Sequence, residues 1–173
     1  MALAVSDNGG EAWQRTGRVG SFNWQFPNCP ESGGGLAIST PASGRETLHA
    51  FVRTGKEGSE GVYYQTSSDG GRYWSSPRRL APGVADHPDL AADSSGNLVA
   101  TWDGLDGDDL VIKACTSNDN GKTWTAVRRL SAPGTNASHP RAVATMAGLR
   151  VFWTFAPPNG PLAWTSAAAG SVR

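Results

Sequence analysis

Neither sign of charge is in excess: fifteen Lys and Arg balance fifteen Asp and Glu, for a formal net charge of zero. That excludes the basic footprint of a nucleic-acid binder and the polybasic face of an anionic-membrane binder. Cysteine is scarce. Cys29 and Cys115 are too few for a disulfide framework and lack a metal-type spacing to each other. They read as two free thiols, with a single disulfide as the alternative. No apolar run approaches the roughly 18 residues of a membrane helix. The opening MALAVSDNGG has neither a basic segment nor a sufficient apolar one, so it does not read as a signal peptide. Lys and Glu, the usual residues of helix surfaces, are sparse.

What is present points to strands. Glycine (22), proline (11) and tryptophan (7) are plentiful, a mixture that favours many short strands joined by tight turns. A length of 173 residues suits one domain able to bury a core. The chain also repeats itself. SDNGGEAW (6–13), SSDGGRYW (67–74) and SNDNGKTW (117–124) share the pattern Ser-x-Asp/Asn-x-Gly-x-x-Trp. Its fixed positions are Ser6, Asn8, Gly10 and Trp13; Ser67, Asp69, Gly71 and Trp74; and Ser117, Asp119, Gly121 and Trp124. A worn fourth copy, SAAAGSVR (166–173), keeps Ser166 and Gly170.

The flanks repeat with the octapeptide. A strand-like run precedes each serine (GVYYQT, LVIKACT, PLAWT), and Arg-Arg-Leu follows two of the tryptophans at one offset. Midway lie TLHAFVRT, NLVATWDG and LRVFWTFA, each preceded by a further short run. Each unit of about 50 residues therefore reads as four short strands, the size of a propeller blade. The octapeptide is predicted to turn the chain between the third and fourth strands. Its Ser and Asp would accept turn N–H groups, its Gly would supply positive φ, and its Trp would pack beneath.

These motifs resemble the Asp-box, or BNR, repeats of sialidase-like β-propellers, over nearly the whole chain. NWQFPNCPESGGGLA and LHAFVRTGKEGSEGVYYQTSSDGGRYWSSPRRL are similar to the C-terminal half of bacterial sialidase-like proteins. The resemblance implies an all-β fold, a six-bladed propeller whose ligand site lies at the mouth of the central channel and whose Asp-boxes lie on the outer rim. It implies a glycan-related role of the exo-α-sialidase (neuraminidase) type, and export or a periplasmic location. The alternative is a non-enzymatic binding or scaffold propeller that can carry a metal.

The sequence holds about three four-stranded blades, near 14–74, 75–124 and 125–173, with 1–13 the remnant of another. Three blades do not close a ring. The expected partners are therefore the missing blades of the same propeller or a second copy of the chain, besides a carbohydrate ligand; no nucleic acid and no membrane span are expected.

The loops that lead into the first strands place Cys29, His87 and His139 directly before proline. Two accounts stand: turn residues bonded to backbone, or a soft metal site of His and Cys ligands at the channel mouth. Arg53 and Asp103 end equivalent second strands, Arg141 follows His139-Pro140, and Asp86 and Asp89 flank His87. Arg53, Asp86, Asp103 and Arg141 are the candidates for substrate binding, with solvated loop ends or turn caps as the plainer account. The family's arginine clamp and tyrosine–glutamate pair are not identifiable. Tyr63, Tyr64 and Tyr73 are the only tyrosines, and all are placed in or beside an octapeptide hairpin. The catalytic set is thus unassigned, and the segment reads as an incomplete hydrolase by itself. The carboxylate-rich DGLDGDDL (103–110) is a second cation candidate, for calcium, although a polar hairpin is expected there anyway. Arg78, Arg79, Arg128 and Arg129 are expected in salt bridges on the rim, and Trp102 and Trp153 in the packing between blades.

Overall fold

A computed structural model describes residues 1–20, 24–25, 32–40, 44–157 and 160–170. Thirteen strands form four antiparallel sheets among the described residues, and no described helix is long and apolar enough to cross a membrane. The first sheet pairs β1 (Ala2–Val5) with β2 (Gln14–Arg18). The second is β3 (Gly34–Ser39), β4 (Thr47–Thr54), β5 (Gly61–Ser67) and β6 (Arg78–Pro82) in sequence order. The third repeats it with β7 (Ala85–Ala92), β8 (Leu98–Asp106), β9 (Asp109–Ser117) and β10 (Arg128–Arg129). The fourth has β11 (Asn136–Thr145), β12 (Gly148–Ala156) and β13 (Ala163–Ala168). These are blade-like meanders, and the first sheet supplies the third and fourth places of another.

Register shows how closely the units correspond. Leu48 pairs with Ser67 as Leu98 pairs with Ser117, so Val52 matches Trp102, Arg53 matches Asp103, and Val62 matches Ile112. In the last unit the Ala169 N–H bonds Leu149 O, and Ser166 lies opposite Phe152 within β13. The turn-serine position there is Ala169, not Ser166, and the apparent fourth copy is three residues out of register. Ser166 Oγ instead accepts from Arg150 Nη2 at 2.9 Å.

Three apolar layers separate the four sheets. Val19 and Trp24 meet Ala50, Val52 and Trp74; Phe51, Val62 and Tyr64 meet Leu90, Ala100 and Trp102; Val99, Ile112 and Ala114 meet Val151, Trp153 and Ala167. Val52, Trp102 and Trp153 thus serve the same boundary in successive units, as expected for the two tryptophans. The outer flanks break this pattern. Leu36 is 49% exposed where its counterpart Leu90 is 4%, and Trp164 is 72% exposed where its counterpart Ile112 is fully buried.

The octapeptides fold as the hairpin between third and fourth strands. In each, the Ser hydroxyl donates to the Asp or Asn Oδ1 at 2.7–2.9 Å and accepts the Gly N–H at 2.8–2.9 Å. The same Oδ1 then accepts the N–H of Ala12, Tyr73 or Thr123. Trp13 and Trp74 donate Nε1–H to the carbonyls of Gly10 and Gly71. Trp74 and Trp124 pack at the boundary with the preceding unit, whereas Trp13 is two-thirds exposed. A Cβ at Gly71 or Gly121 would collide with Leu3 or the Tyr64 hydroxyl. Each glycine therefore answers both a positive φ and the close approach of the preceding unit's third strand.

Candidate functional site

The strand-2 to strand-3 connections and the starts of the innermost strands lie together, opposite the capped turns. Here β7 and β11 bulge at the same place, between Asp86 and Asp89 and between Ser138 and Arg141. The skipped residues are His87-Pro88 and His139-Pro140. Both histidines adopt left-handed φ, 44° and 55°; Asn120 is the only other described non-glycine residue to do so. A following proline favours extended backbone, so the positive φ belongs to the bulge, which swings each imidazole off the pleat. Rings from two neighbouring units meet with centroids 3.9 Å apart and planes tilted by 32°.

Asp103, on β8, lies between them and is 1% exposed. Its Oδ2 lies 2.8 Å from His87 Nδ1 and accepts the His139 N–H at 2.8 Å. His139 Nδ1 lies 2.9 Å from Ser138 Oγ. One ligand atom from each of His87, Asp103 and His139 lies within 4.8 Å of the other two. Asp103 is absent from the Cys29–His87–His139 set expected from sequence, because only lateral pairing brings it there. Cys29 lies outside the described residues.

The other sequence candidates divide. Arg53 Nε lies 3.7 Å from Asp86 Oδ1, an ion pair across the boundary between the β3–β6 and β7–β10 sheets, and Asp86 also caps the His87 N–H at 3.0 Å. Asp89 Oδ2 accepts the Ala142 N–H at 2.9 Å, tying two innermost strands together; burial raises its carboxyl above the usual range. Arg141 is exposed and its charge opposes that rise. Asp106 and Asp109, at the calcium candidate, are instead bridged by Arg129 at 3.3 Å each. That satisfies the rim role expected of Arg129. Cys115 is a buried free thiol, its pKa pushed up to about 12 by burial.

Two groupings were not foreseen. Tyr63 lies near the opposite end from its hairpin: its hydroxyl donates to Ser59 O at 2.8 Å and its ring meets Trp24 edge-on. At the turn end, His49 is fully buried between Tyr64 OH (2.6 Å from Nδ1) and Ser39 Oγ (2.8 Å from Nε2). Ser39 gives its proton to Asn120 Oδ1 at 2.6 Å. Nε2–H of His49 therefore donates to Ser39, and Nδ1 accepts from Tyr64. Burial lowers His49 to about 4 and raises Tyr64 above its ordinary value, which keeps both neutral. Leu48 to Val52 are buried on both faces of β4, so no polar–apolar alternation in TLHAFVRT marks His49.

No family profile and no curated protein matches the chain at the sequence level. Solved structures do. A Dyadobacter fermentans protein of unknown function aligns with 98% of the chain at TM-score 0.63 and 14% identity, and 55% of that protein is covered. A leech intramolecular trans-sialidase aligns over 96% of the chain (27% of its own; TM-score 0.56; 16% identity). The fold is that of a sialidase-like β-propeller. A Hadza microbial sialidase aligns over 76% (34% of its own; TM-score 0.52; 15% identity). The chain spans about half or less of these structures, and its sheets form a partial propeller. At such identities the fold alone is shared.

Proposed function

We propose that the chain is the glycan-facing segment of a sialidase-like propeller, binding sugar without completing a hydrolytic cycle by itself. One observation carries this: Arg53, Asp86, His87, Asp103 and His139 gather across two unit boundaries, at the end away from the capped turns. Cation, carboxylate and imidazole side by side suit the hydroxyls and carboxylate of an acidic sugar, and guanidinium is the natural carboxylate fork. The tyrosines are committed elsewhere: Tyr63 to Ser59, Tyr64 to His49, and Tyr73 exposed beside its turn. A tyrosine nucleophile needs a neighbouring carboxylate base, and neither Tyr64 nor Tyr73 makes such a hydrogen bond among the described residues.

Titration with sialyllactose and with neutral lactose, followed by calorimetry, tests this. The expectation is saturable binding that prefers the sialylated sugar, weakened at least about fivefold by Arg141→Ala or Arg53→Ala, with no turnover of a fluorogenic sialoside. Absence of binding to both sugars would remove the reading, and turnover would overturn its second half. The exposed flanks favour a second reading, a scaffold completed by further blades or by another copy of the chain; particle mass in solution distinguishes the two completions.

A further inference from the structure

We propose that His87, His139 and Asp103 form a binding site for a divalent transition metal of the zinc, nickel or cobalt class, built across the boundary between the β7–β10 and β11–β13 sheets. The proposal does not depend on the sugar reading.

Donor chemistry and distance lead to it. Two imidazoles and one carboxylate match the borderline N/O donors that such metals prefer, and not the all-oxygen shells of calcium or magnesium. Three donors no more than 4.8 Å apart have a common point within about 2.8 Å of each, and metal bonds of about 2.0–2.2 Å need only a modest contraction.

The surroundings of Asp103 point the same way. A carboxylate 1% exposed ordinarily sits against a cation, yet its partners here are the His87 ring and the His139 N–H. Arg53, which occupies the matching place one unit earlier, pairs with Asp86 instead. A bound dication would place positive charge beside this carboxylate, which is in contact with His87 and with no Lys or Arg among the described residues.

Preorganisation is visible too. Two histidines hold left-handed backbone at equivalent bulges, a conformation that persists only where the surroundings impose it. Ser138 Oγ engages His139 Nδ1, which leaves Nε2 of that exposed ring as its ligand atom, the outer-shell arrangement common at metal histidines. Three protein ligands and one open side leave room for water or a ligand hydroxyl.

Chelator-stripped protein is titrated with ZnCl₂ by calorimetry and with CoCl₂ by visible absorption. Expected are one equivalent of tight binding, a cobalt d–d band, and a higher melting temperature with zinc. His139→Asn, at an exposed position, should fold like the parent and bind at least about tenfold more weakly, with the band and the thermal shift lost. His87→Asn should do the same if it melts cooperatively without metal. No saturable binding by the parent overturns the proposal. So does full-strength binding by folded His139→Asn, or loss of binding in Cys29→Ser while His139→Asn retains it.

Discussion

His49 and Asp119 sit one boundary contact apart, yet acid reaches them at different pH. In the folded chain His49 titrates near 4 because its ring is buried, against an ordinary 6.5. The unfolded chain therefore binds the extra proton between those values, and stability falls as pH drops from about 6.5 towards 4. Asp119 is held down to about 2, chiefly by the Thr123 hydroxyl and N–H and by Ser117. The stability it contributes is complete above its ordinary 3.8 and is lost as pH falls towards 2. Urea midpoints measured from pH 8 to pH 2 should show two successive declines. His49→Gln should flatten the first at an overall cost of about 1–3 kcal/mol for the broken buried network. Asp119→Asn, which installs the amide that Asn8 already uses in the first turn, should flatten the second. Asp119 was legible from its motif. His49 was not, because its partners Ser39, Tyr64 and Asn120 are scattered over 81 residues.

At the scale of elements, the hairpin between third and fourth strands was readable because local hydrogen bonds within eight residues define it. The site was only half readable. His-Pro pairs marked the two bulges, but which carboxylate faced them depended on pairing between strands 16 and 36 residues apart. Ser166 misled for the opposite reason: a motif remnant without its aspartate and tryptophan carries no register. Leu3 and Tyr64 both stand three places before a turn serine, and each abuts the glycine of the next unit's turn. Gly121→Ala combines an unfavourable φ of 83° with a collision against the Tyr64 hydroxyl. It is expected to cost about 2–4 kcal/mol in urea denaturation. Gly107→Ala, at φ 65° with open space around it, should cost only about 1 kcal/mol. Equal losses would show that backbone conformation alone decides the effect.

For the whole molecule, period and composition conveyed the all-β, blade-like layout, since every unit must bury one face on each neighbour. They did not show how unevenly the flanks would be covered. Positions buried at internal boundaries are open at the edges, with Leu36 and Ile38 on one side and Val143 and Trp164 on the other. Apolar patches of that kind promote association. The chain prepared alone should bind an environment-sensitive apolar dye and gain mass with concentration. Trp164→Ser, at a position 72% exposed, should reduce both while shifting the melting temperature little. An unchanged mass distribution would place the sticky surface elsewhere.

The seating of Leu3 at Gly71 and of Tyr64 at Gly121 gives the arc a direction. These two hairpins are sockets cut for the side chain of the upstream neighbour, one aliphatic and one phenolic. The units are thus alike in outline but not interchangeable, and exchanging the two middle sheets would bring Leu3 to the socket shaped for a phenol.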